Sequence, residues 1–369
     1  MCTISQCGFH TCTLKNVRFS NGNSGEIIWH NIANYDSGKE GIILRVIGTG
    51  SYLPEKIVRN AELENKLGLE TGWIEKRTGI KERRFAVNET PLDLALKASK
   101  EALKNYDKSP QIVVAHSSTI EQGFPSMASM VSKELGLNPV LAYDVVSGCT
   151  GFLHTLISAI SVMKNLKLDS MLIIASEVLS SHIDFSDRDT AILFGDGAGA
   201  LLIKRIPSDN VILASDFGTD VKKAEDLIID NLTGNVIKMN GREIFRFAVR
   251  TLGKSILKVL QEADISIDEL DYFIPHQSNA RILASVNREM KIPEEKIISY
   301  IGSYGNTASA SIPIAIDKAA KEGKLKNGDK ILLSGYGAGL SWSSLLIEWR
   351  TGEEEKSCIL ESVFQGYSE

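Results

Sequence analysis

The sequence predicts an α/β protein built from two similar halves. Three observations indicate this fold class. Apolar strand-like runs alternate with amphipathic helical stretches, paired motifs recur in the same order, and each half ends on a glycine-rich segment followed by a strand. The 369 residues are 43% hydrophobic and 24% charged, which is a globular composition and excludes a disordered or low-complexity chain.

Strand and helix signals can be placed in order along the chain. Short apolar runs predict strands at Gly41–Gly48, Gln111–Ser117, Met171–Ala175 and Lys330–Ser334. Helical spacing of apolar residues predicts helices at Leu92–Tyr106, Gly151–Lys164 and Ala308–Gly323. The segments Gly195–Gly199 and Gly335–Gly339 are interpreted as turns that precede a last strand in each half, at Ala200–Ile203 and Ser344–Ile347.

Two motif pairs support a duplicated α/β unit of about 150 residues. Ile112–Ser118 resembles Tyr272–Ser278, and Gly148–Thr150 resembles Gly305–Thr307. The predicted domain organisation is an N-terminal extension at 1–40, a first half at 41–212, a second half at 213–350 and a polar tail at 351–369. Equivalent loops of a duplicated unit face each other, so Cys149, Asn306 and the strand-end residue His276 are expected to converge.

Charge and cysteine content exclude several classes of protein. A net charge of −5 argues against nucleic acid as the main partner. No apolar run approaches the ~20 residues that span a bilayer, so we expect no membrane segment. The five cysteines do not form a disulfide framework, which favours a reducing, cytoplasmic setting. No ligand spacing predicts a metal site, and no role is assigned to Cys2, Cys7, Cys12 or Cys358.

Cys149 is the candidate nucleophile. It stands between glycines at a predicted strand-to-helix junction, and a helix N-terminus favours the thiolate. The alternative is a small buried cysteine at a packed helix start. His276 either lines a site at the end of its strand or is a hydrogen-bonded structural histidine. His116 and His154 are interpreted as structural.

Asn306 also has two interpretations. An asparagine beside a glycine at a helix start is commonly an N-cap, but the repeat aligns Asn306 with Cys149. The segment Gly335–Gly339 either offers backbone N–H groups to an oxyanion or forms a tight turn. A dinucleotide-binding motif would lie between a strand and a helix, and this segment does not, so it does not predict NAD binding.

Taken in order, the motifs resemble the ketoacyl synthase III family of the thiolase superfamily, from about Gly41 to Trp349. The matching segments are Gly48–Pro54, Trp73–Arg84, Phe124–Ser126, Gly148–Phe152, Asp187–Thr190, Phe194–Gly199, Met239–Phe245, His276–Ile282 and Gly305–Thr307. The resemblance implies the α/β thiolase fold, in which duplicated βαβαβαββ halves form a five-layered αβαβα arrangement. A homodimer and a Cys149–His276–Asn306 triad are implied as well. It also implies that the backbone N–H groups of Cys149 and Ala338 bind an oxyanion.

The resemblance implies an acyltransferase that works without metal or cofactor. An acyl group, with acetyl as the expected primer, would move from coenzyme A to Cys149 and then condense with malonyl-acyl carrier protein, releasing CO2. This reaction initiates fatty-acid synthesis. The further roles implied are coenzyme A binding by Trp73, Arg77, Arg188 and Asn279, a contribution of Phe124 to the partner's acyl pocket, and carrier-protein docking by Arg246 and Arg281.

Some residues depart from the family pattern. Ser147 and Gly148 replace two alanines before the cysteine, and Ser341–Ser344 replaces a more usual Thr-Trp-Gly ending. These departures leave open an alternative function, a related enzyme of secondary metabolism that condenses or transfers a longer or specialised acyl group. A thiolase would carry a second cysteine in Gly335–Gly339, and a hydroxymethylglutaryl-CoA synthase would carry a glutamate base, so both are disfavoured.

Overall fold

The computed structural model describes residues 42–120, 123–207, 212–230 and 234–351. Within these ranges the strands are β1 (Ile42–Tyr52), β2 (Lys56–Arg59), β3 (Glu82–Phe85), β4 (Ile112–His116), β5 (Leu141–Asp144), β6 (Ser170–Glu177), β7 (Gly197–Pro207), β8 (Ile212–Thr219), β9 (Leu227–Asp230), β10 (Val236–Met239), β11 (Tyr272–Pro275), β12 (Lys330–Gly337) and β13 (Ser341–Glu348). The helices are α1 (Asn60–Leu67), α2 (Trp73–Thr78), α3 (Pro91–Ala102), α4 (Met127–Glu134), α5 (Gly151–Asn165), α6 (Arg188–Ala191), α7 (Gly241–Glu262), α8 (Ala280–Met290), α9 (Ile301–Tyr304) and α10 (Ser311–Lys321). The predicted extension at 1–40 and all of the predicted tail except Thr351 lie outside the described residues.

The two main sheets share one strand order. The first sheet runs β1–β7–β6–β4–β5 and the second runs β11–β12–β13–β8. When the sheet strands of each half are numbered in chain order, the first sheet reads 1-5-4-2-3. The second sheet, read from its β8 edge, is 1-5-4-2. In the second half the third strand is reduced to an isolated parallel bridge between Phe273 and Ile297. The predicted duplication is therefore confirmed, with one strand shortened to a single residue pair.

Apolar side chains cover both faces of the two main sheets, and each face is packed against a layer of helices. Helices α5 and α10 lie between the sheets and share one apolar core with both. Helices α3 and α4 cover the outer face of the first sheet, and α7 and α8 cover that of the second. On β6, Met171 and Ile173 point to the central helices while Leu172 and Ile174 point to the outer ones. This is the predicted αβαβα arrangement.

The interpretation of the glycine-rich segments as turns is wrong for most of their length. Strand β7 already begins at Gly197, and β12 continues through Gly337. A Cβ atom on Gly199 would lie 2.8 Å from the backbone nitrogen of Ile314 in α10. Glycine is needed here because a central helix packs directly on the strand backbone, and not because the chain reverses. No helix in the described ranges has the length and hydropathy to cross a membrane.

Candidate active site

Cys149 lies in a short helical turn, Gly148–Thr150, that leads directly into α5. The predicted junction is thus present. Gly148 has a φ of +48°, and a Cβ atom there would lie 2.9 Å from the Cβ of Ala338. A Cβ on Gly337 would lie 2.7 Å from the Cβ of Cys149. Both glycines are therefore required for the close approach of the two backbone segments.

The ionisation of the thiol differs from the sequence prediction. Burial raises the pKa of Cys149 to about 12, and the carboxylate of Glu177 raises this pKa in the same direction. A backbone hydrogen bond at Cys149 lowers this pKa, in the direction predicted for a helix start, but burial and Glu177 outweigh it. The raised pKa means that the thiol has to give up its proton during attack.

His276 follows the last residue of β11 and is buried. Its Nδ1 lies 2.8 Å from the hydroxyl oxygen of Ser311. The same oxygen accepts the N–H of Gln277 at 3.2 Å. Among the described residues Nδ1 is the one acceptor within reach of the Ser311 hydroxyl hydrogen, so Ser311 donates to Nδ1. Burial lowers the pKa of His276 to about 3, which makes the ring neutral with its proton on Nε2.

The backbone of Asn306 is held by the first half of the chain. Its N–H donates to the carbonyl of Leu193, and its own carbonyl accepts from Gly195, both at 2.9 Å. The side-chain oxygen of Asn306 accepts the N–H of Ala308 at 2.9 Å. The N-cap of the following helical turn, Ala308–Ala310, is Thr307, so Asn306 stands one residue before the cap and its amide oxygen holds the start of that turn. The amide NH2 is left as a donor.

One cavity of about 740 Å³ brings the three predicted catalytic residues together. Its lining includes Cys149, His276 and Asn306, and also the predicted binding residues Trp73, Arg77, Asn279 and Arg281. The lining combines apolar side chains with charged and polar ones, and a concave site of this size is typical of small-molecule binding. The convergence expected from the duplicated halves is therefore present.

Trp73 is flanked by two guanidinium groups. The Cζ of Arg77 lies 4.6 Å from the centre of the Trp73 ring, and that of Arg188 lies 6.0 Å from it. Both are within the range of cation–π attraction. The resemblance implies that Trp73 and Arg188 lie on either side of an adenine, and the structure places these two side chains next to each other. The closer contact of Arg77 was not predicted. Asn279 has a structural contact as well, because its side chain accepts the N–H of Arg281 at the start of α8.

Four predicted residues do not line the cavity: Phe124, Arg188, Arg246 and Ala338. The side chain of Phe124 is 91% exposed and does not line it. Arg246 is 66% exposed in α7 and pairs with Glu243 at 2.7 Å. Arg188 contributes to the site through Trp73, and Ala338 follows the lining residue Gly337.

Sequence reasoning missed several residues of the site. Arg242, Phe245 and Tyr336 line the cavity, and Ser311 orients His276. Arg242 and Phe245 belong to the matching segment Met239–Phe245, which was a usable signal. Nothing in the sequence marks Ser311, because its role depends on how α10 packs behind β11.

The first half carries a buried counterpart of His276. His116 donates from Nδ1 to the carbonyl of Val145 at 2.6 Å, and its Nε2 lies 3.3 Å from the carboxylate of Glu177. A Cβ atom on Gly151 would meet this ring at 2.3 Å, so the imidazole packs against the start of α5. The ring is fully buried and does not line the cavity, as a structural role requires.

The chain is similar to known proteins of one family over most of its length. Residues 143–221 match the family described as 3-oxoacyl-[acyl-carrier-protein (ACP)] synthase III, and residues 260–349 match the family of its C-terminal region. The chain is 39% identical over 306 residues to the β-ketoacyl-[acyl-carrier-protein] synthase III of Staphylococcus aureus strain JH1. That match covers 82% of this chain and 97% of the relative.

Solved structures give the same result. The crystal structure of 3-oxoacyl-[acyl-carrier-protein] synthase III from Aquifex aeolicus VF5 has a TM-score of 0.80 and 40% identity, covering 83% of this chain and 100% of that one. The crystal structure of the priming β-ketosynthase from the R1128 polyketide biosynthetic pathway has a TM-score of 0.79 and 31% identity, covering 85% and 97%.

Proposed function

Because the chain belongs to the 3-oxoacyl-[acyl-carrier-protein] synthase III family, we propose that it initiates fatty-acid synthesis by condensing an acyl-CoA primer with malonyl-acyl carrier protein. The observation that carries the proposal is the meeting of Cys149, His276 and Asn306 in one cavity. Each presents the group that this chemistry needs: a thiol, an imidazole N–H and an amide NH2. Acetyl-CoA is the proposed primer, and no metal or cofactor takes part.

The first half-reaction is acyl transfer to Cys149. The thiol loses its proton, the sulfur bonds to the carbonyl carbon of the primer, and the carbon–sulfur bond to coenzyme A breaks. Coenzyme A leaves as a thiol and takes up a proton. During this exchange the carbonyl oxygen becomes an oxyanion, and the proposed donors to it are the backbone N–H groups of Cys149 and Ala338.

The second half-reaction is decarboxylating condensation. The malonyl thioester loses CO2, and the electron pair of the broken carbon–carbon bond forms an enolate. His276 Nε2–H and the Asn306 NH2 donate to the enolate oxygen, and one such donor is worth ~2.7–4 kcal/mol in a transition state. The enolate carbon attacks the acyl-Cys149 carbonyl, which releases the thiolate of Cys149 and a 3-oxoacyl-carrier protein.

Binding of both substrates is assigned to residues around the mouth of the cavity. In the proposal Trp73 and Arg188 hold the adenine of coenzyme A between them, while Arg77 and Asn279 contact the pantetheine and phosphate region. The carrier protein is acidic and would be attracted to Arg281 and to a basic ridge along α7. This ridge comprises Arg242, Arg246, Arg250 and Lys254, which follow each other at intervals of one helical turn and are all exposed.

We further propose that the enzyme is a cytoplasmic homodimer. Strand β5 is an edge of the first sheet, and an unpaired edge is a template for pairing with another chain. Exposed apolar residues lie on this strand and on the segments beside it, namely Phe124, Leu141 and Val146. A second copy at this edge would cover them and would bring Phe124 to the partner's acyl pocket.

A specialised primer is the second candidate. It is favoured by the 31% identity to a priming ketosynthase of a polyketide pathway and by the departures at Ser147, Gly148 and Ser341. In this case the same two half-reactions, or acyl transfer alone, would start from a longer or unusual acyl group.

A panel of acyl-CoA primers separates the two candidates. The purified protein is incubated with each labelled primer and malonyl-carrier protein, and both the 3-oxoacyl product and the mass of the peptide that carries Cys149 are measured. Acetyl-CoA is expected to give an acetylated Cys149 and a 3-oxobutanoyl product. Product from long or branched primers alone would favour the specialised function, and no acylation by any primer would refute both.

A further inference from the structure

Two hydroxyl groups connect the turn that carries Cys149 to the turn that follows Gly337. Thr150 Oγ1 and Ser341 Oγ lie 2.8 Å apart, and both side chains are buried. Thr150 Oγ1 is also 2.8 Å from the carbonyl oxygen of Ser147, and Ser341 Oγ is 2.8 Å from that of Ala338. The residues that meet here are 191 positions apart in the chain.

The hydrogens of these two hydroxyls make the link continuous. Each hydroxyl has one hydrogen to donate and can accept as well. If both hydrogens went to the carbonyls of Ser147 and Ala338, two hydroxyl oxygens 2.8 Å apart would face each other with no hydrogen between them, which is unfavourable. One hydrogen therefore lies between Thr150 and Ser341. Either Thr150 donates to Ser341 and Ser341 to the carbonyl of Ala338, or Ser341 donates to Thr150 and Thr150 to the carbonyl of Ser147. In both arrangements the chain of bonds runs from one turn to the other, and each bond is short enough to be a strong contact.

The same two turns touch along their backbones. A Cβ atom on Gly148 would lie 2.9 Å from the Cβ of Ala338, and a Cβ on Gly337 would lie 2.8 Å from the backbone nitrogen of Cys149. The spacing between the two turns is therefore fixed by glycine contacts at one place and by the Thr150–Ser341 bond at another. The N–H groups of Cys149 and Ala338 belong to these turns.

Two hydrogen bonds of His154 hold Ser147, which precedes the turn that carries Cys149. Ser147 Oγ lies 2.5 Å from Nδ1 of His154, and His154 bonds to the backbone of Trp342, beside Ser341. Burial lowers the pKa of His154, so its neutral ring accepts the Ser147 hydroxyl. Ser147 and Ser341, two departures from the family pattern, thus belong to one network.

We propose that Thr150 and Ser341 are positioning residues for acyl transfer, which set the distance between the backbone N–H groups of Cys149 and Ala338. The inference rests on the proposed function, in which these two N–H groups bind the thioester oxyanion. Preorganised donors stabilise a transition state only when they are aimed at the position of the oxyanion, and a displacement of ~1 Å costs about 100-fold in rate.

The test compares Thr150→Val and Ser341→Ala with the unaltered enzyme. Each variant is expected to slow acyl transfer to Cys149 by about 10-fold to 100-fold. The KM for acyl-CoA and the release of CO2 from malonyl-carrier protein should change by less than about twofold, since neither depends on this pair of donors. The double variant should be no slower than the slower single one, because either change breaks the same link.

Conservative and matched variants complete the test. Thr150→Ser and Ser341→Thr keep the hydroxyls and should keep the rate. Thr155→Val is the control for burial and shape, because Thr155 is buried on α5 and its hydroxyl has no hydrogen-bond partner among the described residues. This control should leave both half-reactions unchanged.

Several outcomes would overturn the inference while the proposed function stands. In the first, the wild type is acylated and the variants transfer acyl groups at the same rate. In the second, the variants lose the same rate in both half-reactions. In the third, the double variant loses the product of the two single losses in rate. A wild type that accepts no acyl group from any primer would overturn the proposed function and this inference with it. Thermal melting of every variant separates a loss of folding from a loss of rate.

Discussion

Ser311 Oγ lies 2.8 Å from Nδ1 of His276, and the same oxygen accepts the backbone N–H of Gln277. This relationship decides which ring nitrogen of His276 carries the proton. With Nδ1 occupied as an acceptor, the neutral ring is a donor at Nε2 only. A donor is what a developing enolate oxygen requires.

Replacing Ser311 by alanine should therefore slow decarboxylation selectively. Without the hydroxyl, the proton of His276 can sit on either nitrogen, and the Nε2–H form is no longer enforced. We expect release of CO2 from malonyl-carrier protein to fall about tenfold, equivalent to ~1.4 kcal/mol, with little change in acyl transfer. Ser311→Thr keeps the hydroxyl and is the matched control. Equal loss in both half-reactions would contradict this assignment.

The thiol of Cys149 should react as a weakly acidic group. Burial and Glu177 raise its pKa to about 12. Alkylation of Cys149 by iodoacetamide, followed on its own peptide by mass spectrometry, should accelerate about tenfold for each pH unit between pH 7 and pH 10. Glu177→Gln should increase the rate at any pH in this interval, because it removes a nearby negative charge. A plateau near pH 7 would argue against the raised pKa.

His276 should make stability depend on pH below neutrality. Its pKa falls from 6.5 to about 3 on folding, so the unfolded chain binds a proton that the folded chain refuses. This contribution to stability is complete above pH 6.5 and is lost as the pH falls toward 3. We expect it to change the free energy of unfolding by on the order of 1–3 kcal/mol between pH 6.5 and pH 4.

The measurement is a series of urea unfolding curves over that interval. His276→Asn lacks the titrating ring and should show a shallower dependence on pH than the wild type. Parallel curves for the two proteins would mean that His276 does not contribute.

Trp73 should act in binding and not in chemistry. Stacking of a base on an aromatic ring is worth ~1–3 kcal/mol, so Trp73→Ala should raise the KM for acetyl-CoA by about tenfold or more and leave kcat nearly unchanged. Acetyl-pantetheine lacks the adenine, so its KM should be the same for both proteins. An equal increase for both primers would assign Trp73 to packing instead.

Arg246 should contribute to recognition of the carrier protein through long-range charge. Arg246→Ala is expected to raise the KM for malonyl-carrier protein by roughly threefold to tenfold at low salt, with a smaller difference at high salt. The KM for acetyl-CoA should not change. Lys133→Ala, which removes an exposed positive charge from α4, outside the cavity lining, is the matched control. A loss that is independent of salt would contradict a charge-based role.

The sequence predicted those features of the fold and site that depend on the internal repeat or on a short motif. The duplicated motifs predicted that Cys149, His276 and Asn306 would meet, and the cavity contains all three. Three features were not predicted: the role of Ser311, the raised pKa of Cys149 and the continuation of β12 through Gly337. Each depends on which atoms of a distant segment pack against the residue, and this information is not local in the sequence.

The bridge between Asn306 and Phe194 has a consequence for how the site is assembled. Asn306 belongs to the second half and Phe194 to the first, so the amide reaches its position only when the two halves are docked. Cys149 and His276 are also contributed by different halves. We therefore expect that neither half, expressed alone, forms a complete site, because its contacts join segments far apart in the chain.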